Sequence, residues 1–328
     1  MPARRTLHFD IADRQQELRG FAAPDDFVLA RRDTPLPFPA GALAYCADIG
    51  AERVLFSLHG GRTANLLRAP FLYVAQLRDA EGVVTVPFEH VADIDADIPC
   101  RPTLIFSPGR TGSTLFARLL HAGGVACASE PDMLTQICRY GREERMRIGP
   151  DMEVALLRAC LAALCRVAGP APFVKLRSHC NARPLPLLEA AGGDAILLMR
   201  RMREWALSRH LAFLEPPASI AAILRETLDA ADKLLGEPKP PRVVWFEDLR
   251  ADPAAVLRLC GLDCDPNQVA QVMQADSQAG MSFDRASVAR ARAEPRFFDE
   301  FVDAWSEARA GAEWGPTTHT LLADMGPP

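Results

Sequence analysis

The stretch that most constrains this chain is Arg101-Pro-Thr-Leu-Ile-Phe-Ser-Pro-Gly-Arg-Thr-Gly-Ser-Thr-Leu-Phe-Ala-Arg-Leu-Leu120. The run from Thr103 to Phe106 has the length and composition of a buried strand. A turn rich in glycine and hydroxyl groups follows, from Ser107 to Gly112. Then Leu115 pairs with Leu119, and Phe116 with Leu120, at helical spacing. A strand, a glycine turn and a helix start together present backbone N–H groups and a positive helix end to an anion. Arg110 adds a cation, so the stretch reads as a phosphate or phosphosulfate cradle. A turn that merely packs a helix on a sheet would look the same locally.

At 328 residues, with 49% hydrophobic and 24% charged residues, the chain can bury a large α/β core. A net charge of −5 argues against broad electrostatic binding to nucleic acid or to an anionic membrane. No apolar run approaches a membrane span, and Arg4, Arg5, Asp10 and Asp13 break up a signal-peptide reading of the start. The nine cysteines are scattered, several within apolar runs, and read as buried free thiols of a reducing compartment. A cytoplasmic protein is therefore expected. Cys260 and Cys264 have no second pair or nearby histidine, so no metal site is expected there.

Two regions are expected. Residues 1–100 read as a small β-rich region, with strands at Arg53–His59, Pro70–Gln76 and Gly82–Phe88 and little regular structure in the first forty residues. From 101 to 328 strands and helices alternate, which predicts a parallel sheet with crossover helices. The strands fall at 103–107, 172–176, 194–199 and 242–246. The helices fall at 112–122, 132–146, 151–167, 184–191, 203–213, 219–235, 253–260, 266–275 and 297–310.

The cradle lacks a nucleotide triphosphatase signature. Gly112 is followed by Ser113 where that loop needs lysine, which argues against a nucleotide-dependent kinase. A second constellation begins where the strand 194–199 delivers Arg200 at its C-terminal end and the next helix carries Ser208. Ligands of open parallel sheets gather beyond that edge. A guanidinium fork with a hydroxyl suits a phosphate monoester. Arg201, Arg203 and Arg209 read instead as solvated arginines along the strand end and helix face.

These motifs together resemble the sulfotransferases that use 3′-phosphoadenosine 5′-phosphosulfate (PAPS). Phe106-Ser-Pro-Gly-Arg-Thr-Gly-Ser-Thr114 is similar to that family's 5′-phosphosulfate loop. Arg200 with Ser208 is similar to its 3′-phosphate grip, and Val243-Val-Trp-Phe-Glu-Asp-Leu249 to its segment near the adenine. Phe246 stands where the family has tyrosine, which keeps the ring and drops the hydroxyl. Arginine in the loop is more similar to the tyrosylprotein and bacterial branches. The resemblance covers about residues 101–265 and implies a three-layer α/β/α, P-loop-like fold. It implies PAPS as co-substrate, no metal, and a hydroxyl or amine acceptor on a small molecule or peptide. Arg110, Thr111, Gly112, Ser113 and Thr114 would hold the 5′-phosphosulfate, with Arg110 stabilising the leaving oxygen. Arg200 and Ser208 would hold the 3′-phosphate, and Phe246 would pack near the adenine. The family's C-terminal basic segment has only Arg285, Arg290 and Arg292 as candidates.

An acceptor also needs a base. Glu130, after the cradle helix, is similar in position to the glutamate of the tyrosylprotein branch. His179, in Phe173-Val-Lys-Leu-Arg-Ser-His179, resembles the catalytic histidine of cytosolic members, but lies four residues after Lys175, where the family has two. Glu130 is the preferred base, Lys175 a second cation and His179 the alternative. His8, His59, His90, His121, His210 and His319 read as surface or packing residues. A catalytically silent binder of PAPS or its bisphosphate product is the rival reading. The acceptor and the oligomeric state stay open, a homo-oligomer included.

Overall fold

The computed structural model describes residues 6–16, 20–31, 38–94, 99–140, 148–275 and 296–328. Arg285, Arg290 and Arg292 lie outside the described residues, as does the end of the helix expected over 132–146. The chain divides into two compact units, one of Met1–Leu104 with Ala126–Asp194, the other of Ile105–Val125 with Ala195–Pro328.

The first unit opens with an antiparallel sheet of five strands: β1 (Leu7–Arg14), β2 (Phe27–Arg31), β3 (Leu43–Asp48), β4 (Arg53–Leu58) and β5 (Gly82–Pro87), in the order β2-β1-β5-β4-β3. β1 and β2 lie in the forty residues expected to be irregular. Their Asp- and Arg-rich sequences hide the period-2 pattern, and pairing supplies what the pattern lacks: Phe9 lies opposite Arg31 on one side and Val83 on the other. Arg14 then closes the strand end by donating to the carbonyls of Leu77 and Ala80.

Between β4 and β5 come a one-turn helix, α1 (Thr63–Leu66), and α2 (Leu72–Asp79). α2 replaces the strand expected at Pro70–Gln76. A short apolar run fits a strand or a buried helix equally well. Here Leu72, Ala75, Gln76 and Leu77 turn inward. Buried Gln76 gives its amide protons to Ala44 O at 3.1 Å and Ser57 Oγ at 3.0 Å, which braces α2 against β3 and β4.

The parallel sheet comprises β6 (Thr103–Phe106), β7 (Cys127–Ser129), β8 (Phe173–Lys175), β9 (Asp194–Met199) and β10 (Arg242–Trp245), in the order β10-β9-β6-β8-β7. Helices flank it, so the chain is a mixed α/β protein of the expected class with an added β-rich N-terminal region. In the first unit these helices are α4 (Asp132–Tyr140), α5 (Pro150–Ala168) and α6 (Pro184–Ala191). In the second they are α3 (Ser113–Ala122), α7 (Met202–Phe213), α8 (Pro217–Leu235), α9 (Phe246–Ala251), α10 (Pro253–Leu259), α11 (Pro266–Gln274), α12 (Phe297–Ala308) and α13 (Pro316–Met325). Along α8, Ile220, Leu224, Leu228, Ala231 and Leu234 form one buried face. Each large side chain there contributes about 1.5–3 kcal/mol by burial.

Cys100 and Cys165 form a disulfide, which corrects the expectation that all nine cysteines are free. Cys46, Cys127, Cys138, Cys160 and Cys180 are buried free thiols. Burial pushes the Cys127 thiol up to about 12, so it behaves as an apolar packing group. No helix among the described residues is long and apolar enough to cross a membrane.

Candidate active site

In the second unit, β6 runs into the glycine turn and α3 starts at Ser113 with Gly112 as its N-cap. Gly109, Arg110 and Gly112 all have left-handed backbone, with φ of 74°, 57° and 79°. A Cβ at Gly112 would lie 2.3 Å from Phe246 Cδ2, so only glycine allows this approach. Arg110 holds the same region at a cost typical of functional sites, about 1–3 kcal/mol.

Three successive carbonyls of the turn each accept from a side chain. Pro108 O takes Arg209 Nη1 at 2.5 Å, Gly109 O takes Trp205 Nε1 at 2.8 Å, and Arg110 O takes Arg200 Nη1 at 3.2 Å. The Arg110 side chain donates from Nε to Ser208 Oγ at 3.1 Å. Arg200, just past β9, lies with its guanidinium carbon 4.6 Å from the Phe246 ring centroid. Burial pulls its pKa below the ordinary value, with Glu247 and Glu204 opposing. Two buried atoms here, Thr111 Oγ1 and Arg200 Nε, have no hydrogen-bond partner among the described residues. Such groups are costly unless a ligand or water serves them.

Of the residues expected to bind the donor, Arg110, Arg200, Ser208, Gly112 and Phe246 are therefore brought together, and Thr111 sits within the same turn. Ser113 and Thr114 open α3. Arg209 departs from its expected role as a solvated arginine. It is 6% exposed and forks onto Glu215 through Nε and Nη2, at 2.6 and 2.5 Å. Its spacing along the helix gave no hint of this, because the partner carbonyl lies 101 residues away.

The first unit holds the other candidates. Glu130 follows β7 with φ 56°, and its N–H donates to Lys175 O at 2.8 Å. Lys175 Nζ lies 2.9 Å from Glu130 Oε1, and Arg177 Nε lies 3.1 Å from Glu130 Oε2. Arg177 also reaches Asp132 at 3.1 Å and donates to Gly20 O at 2.8 Å. Asp132 Oδ2 accepts from Ala22 N and from Gln136 Nε2. Burial pushes the Asp132 carboxyl above its usual range, against the pull of Arg177. Burial alone would lower Arg177, but Asp132 and Glu130 hold it above its ordinary value.

His179, in the 3-10 turn Ser178–Ala182, is exposed and meets Phe21 edge-on at 5.5 Å between centroids. Arg177 and Asp132 were not anticipated. Arg177 stands two residues after Lys175, the spacing that points both side chains to one side of an extended segment. Among the described residues, no group of three or more His, Cys, Asp or Glu side chains is arranged to hold a metal.

No family model matches the chain, and no curated protein matches it. Among solved structures it is similar to a sulfotransferase from Mycobacterium avium, at 12% identity over 69% of this chain and 80% of that one, with a TM-score of 0.39. It is similar to the sulfotransferase domain of the Synechococcus olefin synthase, at 14% identity over 72% and 98%, also with a TM-score of 0.39. A mouse sulfotransferase complexed with PAP matches at 11% identity over 73% and 87%, with a TM-score of 0.35. These likenesses bear on no individual residue.

Proposed function

We propose that this protein is a sulfotransferase that moves a sulfuryl group from PAPS to a hydroxyl or amine on a small molecule or peptide, releasing adenosine 3′,5′-bisphosphate. The reading rests chiefly on one observation: Arg110, Arg200 and Ser208 converge on a turn whose Thr111 hydroxyl is buried without a partner among the described residues. Two guanidiniums and two hydroxyls around one turn suit a ligand with two anionic groups. PAPS, when bound, supplies the activated sulfuryl group. Arg110, Thr111, Gly112, Ser113 and Thr114 would hold its 5′ end, Arg200 and Ser208 its 3′-phosphate, and Phe246 would pack beside the base. Sulfuryl transfer follows the logic of phosphoryl transfer, so cations that stabilise spreading charge do most of the work.

Glu130 is the proposed base, Lys175 a cation for the transferring group, and His179 the alternative base. A cytoplasmic location belongs to the same reading. A transfer screen with PAPS against a broad acceptor library, read by mass, tests it. Wild-type protein that fails to bind adenosine 3′,5′-bisphosphate, with Arg200→Ala and Ser208→Ala indistinguishable from it, sinks the donor assignment.

A second reading has its own support. Both oxygens of Glu130 are already held by cations, Lys175 and Arg177. A protein that keeps the nucleotide grip and binds without transfer would leave that carboxylate structural. Tight bisphosphate binding with no product from any acceptor decides for it.

A further inference from the structure

We infer that Arg209, together with Trp205 and Glu215, is the positioning apparatus of the glycine turn and sets the grip on the 5′ end of the nucleotide. The inference rests on the reading of that turn as the 5′ holder. Arg209 and Trp205 stand on α7, are 6% and 0% exposed, and donate to adjacent carbonyls, those of Pro108 and Gly109. Glu215 takes the other two nitrogens of Arg209, so the guanidinium is clamped on three sides. A Cβ on Gly109 would come within 2.9 Å of Arg209 Nη1, so turn and guanidinium approach as closely as a glycine permits.

The consequence follows from the peptide plane. In a trans peptide the N–H points opposite to the C=O of the same unit, and the chain has no cis peptide bond among the described residues. Fixing Gly109 O on Trp205 therefore turns the Arg110 N–H away from that donor. Fixing Arg110 O on Arg200 does the same for the Thr111 N–H. The two carbonyls taken by Trp205 and Arg200 orient two N–H groups, and Arg209 anchors the peptide before them. Carbonyls left free to rotate would present oxygen lone pairs to an anion instead. Arg209 and Trp205 act through the backbone, without touching the nucleotide.

The experiment is calorimetric binding of three probes, adenosine 3′,5′-bisphosphate, adenosine 5′-monophosphate and adenosine 3′-monophosphate, to the full chain. It compares wild type with Arg209→Gln, Trp205→Phe and Glu215→Gln. Losing one buried, charge-assisted or indole hydrogen bond to the turn predicts about tenfold weaker binding of the two 5′-phosphorylated probes. Binding of the 3′-monophosphate should stay within about twofold by the same measure. Arg209 adjoins Ser208, so a merely structural disturbance of α7 would weaken the 3′-monophosphate equally, and that outcome overturns the inference. Unchanged binding of all three probes also overturns it. Trp205→Phe keeps an aromatic ring while removing the donor and some buried volume, and Glu215→Gln removes a charge at nearly constant shape, so the two together decide the matter if Arg209→Gln does not fold. Wild-type protein that binds none of the probes sinks the donor reading itself, and the inference with it. Wild-type binding with the wrong variant pattern sinks the inference alone.

Discussion

Arg110 Nε donates to Ser208 Oγ at 3.1 Å, joining side chains 98 residues apart that the sequence resemblance assigned to opposite ends of one ligand. The loop arginine thus leans on the hydroxyl proposed to hold the 3′-phosphate. It should therefore matter to both ends. Arg110→Ala is expected to weaken adenosine 3′-monophosphate as well as adenosine 5′-monophosphate, each by about tenfold. A double-mutant cycle with Ser208→Ala should show coupling of about 1 kcal/mol. Strict additivity would mean the two side chains act separately.

Gly112 is the tightest point of the turn. Gly112→Ala adds a left-handed alanine and a clash with Phe246, together costing about 2–4 kcal/mol. Adding Phe246→Ala should relieve the clash and leave the backbone cost. Urea denaturation of the single and double variants measures the split.

Lys175 is nearly buried, and Glu130 carries the charge opposite it. Glu130→Gln leaves that ammonium to Gln and water, with an expected loss of about 3–5 kcal/mol of stability. Loss of activity in this variant is thus ambiguous by itself. A companion variant, Glu130→Gln with Lys175→Met, should recover stability. Lys175→Met alone is the reference for turnover: if Glu130 is the base, the double variant turns over more slowly than Lys175→Met at matched stability.

The Asp132 carboxyl is pushed above its usual range by burial. A raised pKa means the folded state holds its proton more firmly than the unfolded chain. That contribution is full below the ordinary Asp value of about 3.9 and is lost as pH rises through the raised one. Stability attributable to Asp132 should fall with rising pH in that window, and the slope should flatten in Asp132→Asn. Denaturation midpoints converted to free energies at closely spaced pH values provide the slope; a slope unchanged in the variant contradicts the assignment.

Leu214 ends α7 at φ 54° and is 81% exposed. A left-handed leucine with little packing to lose should be improved by glycine. Leu214→Gly is expected to raise stability by about 1 kcal/mol, read as a higher urea midpoint with unchanged m.

The sequence made the parallel half readable because its signals are local. Gly192 stops α6 at Ala191, and Pro253 opens α10, as expected from cap chemistry. What escaped depended on distant partners. β1 is a strand because β2 and β5 pair with it, and α2 is a helix because Gln76 finds Ala44 and Ser57. The site divides the same way. Arg200 and Ser208 stood out by their place after a strand and by the family resemblance, whereas Arg209 looked solvated until its partners Pro108 and Glu215 were in view. Two of the four described non-glycine residues with left-handed backbone are Arg110 and Glu130, both expected catalytic residues. Glycine would announce that conformation in a sequence; arginine and glutamate do not.

The hydrogen bonds between the N-terminal sheet region and α4 set an order for synthesis. Ala22 N waits for Asp132, 110 residues later, Ala22 O for Gln136, and Ala47 N for the same Gln136. The nascent sheet therefore leaves the ribosome before the groups that satisfy its backbone exist. The intervening residues 105–125 belong to the other compact unit. Long-range closure of this kind is slow and exposes unfinished edges while it is awaited. A chain begun at residue 101 would expose the converse defect, with Asp132 and Gln136 buried for partners that never arrive.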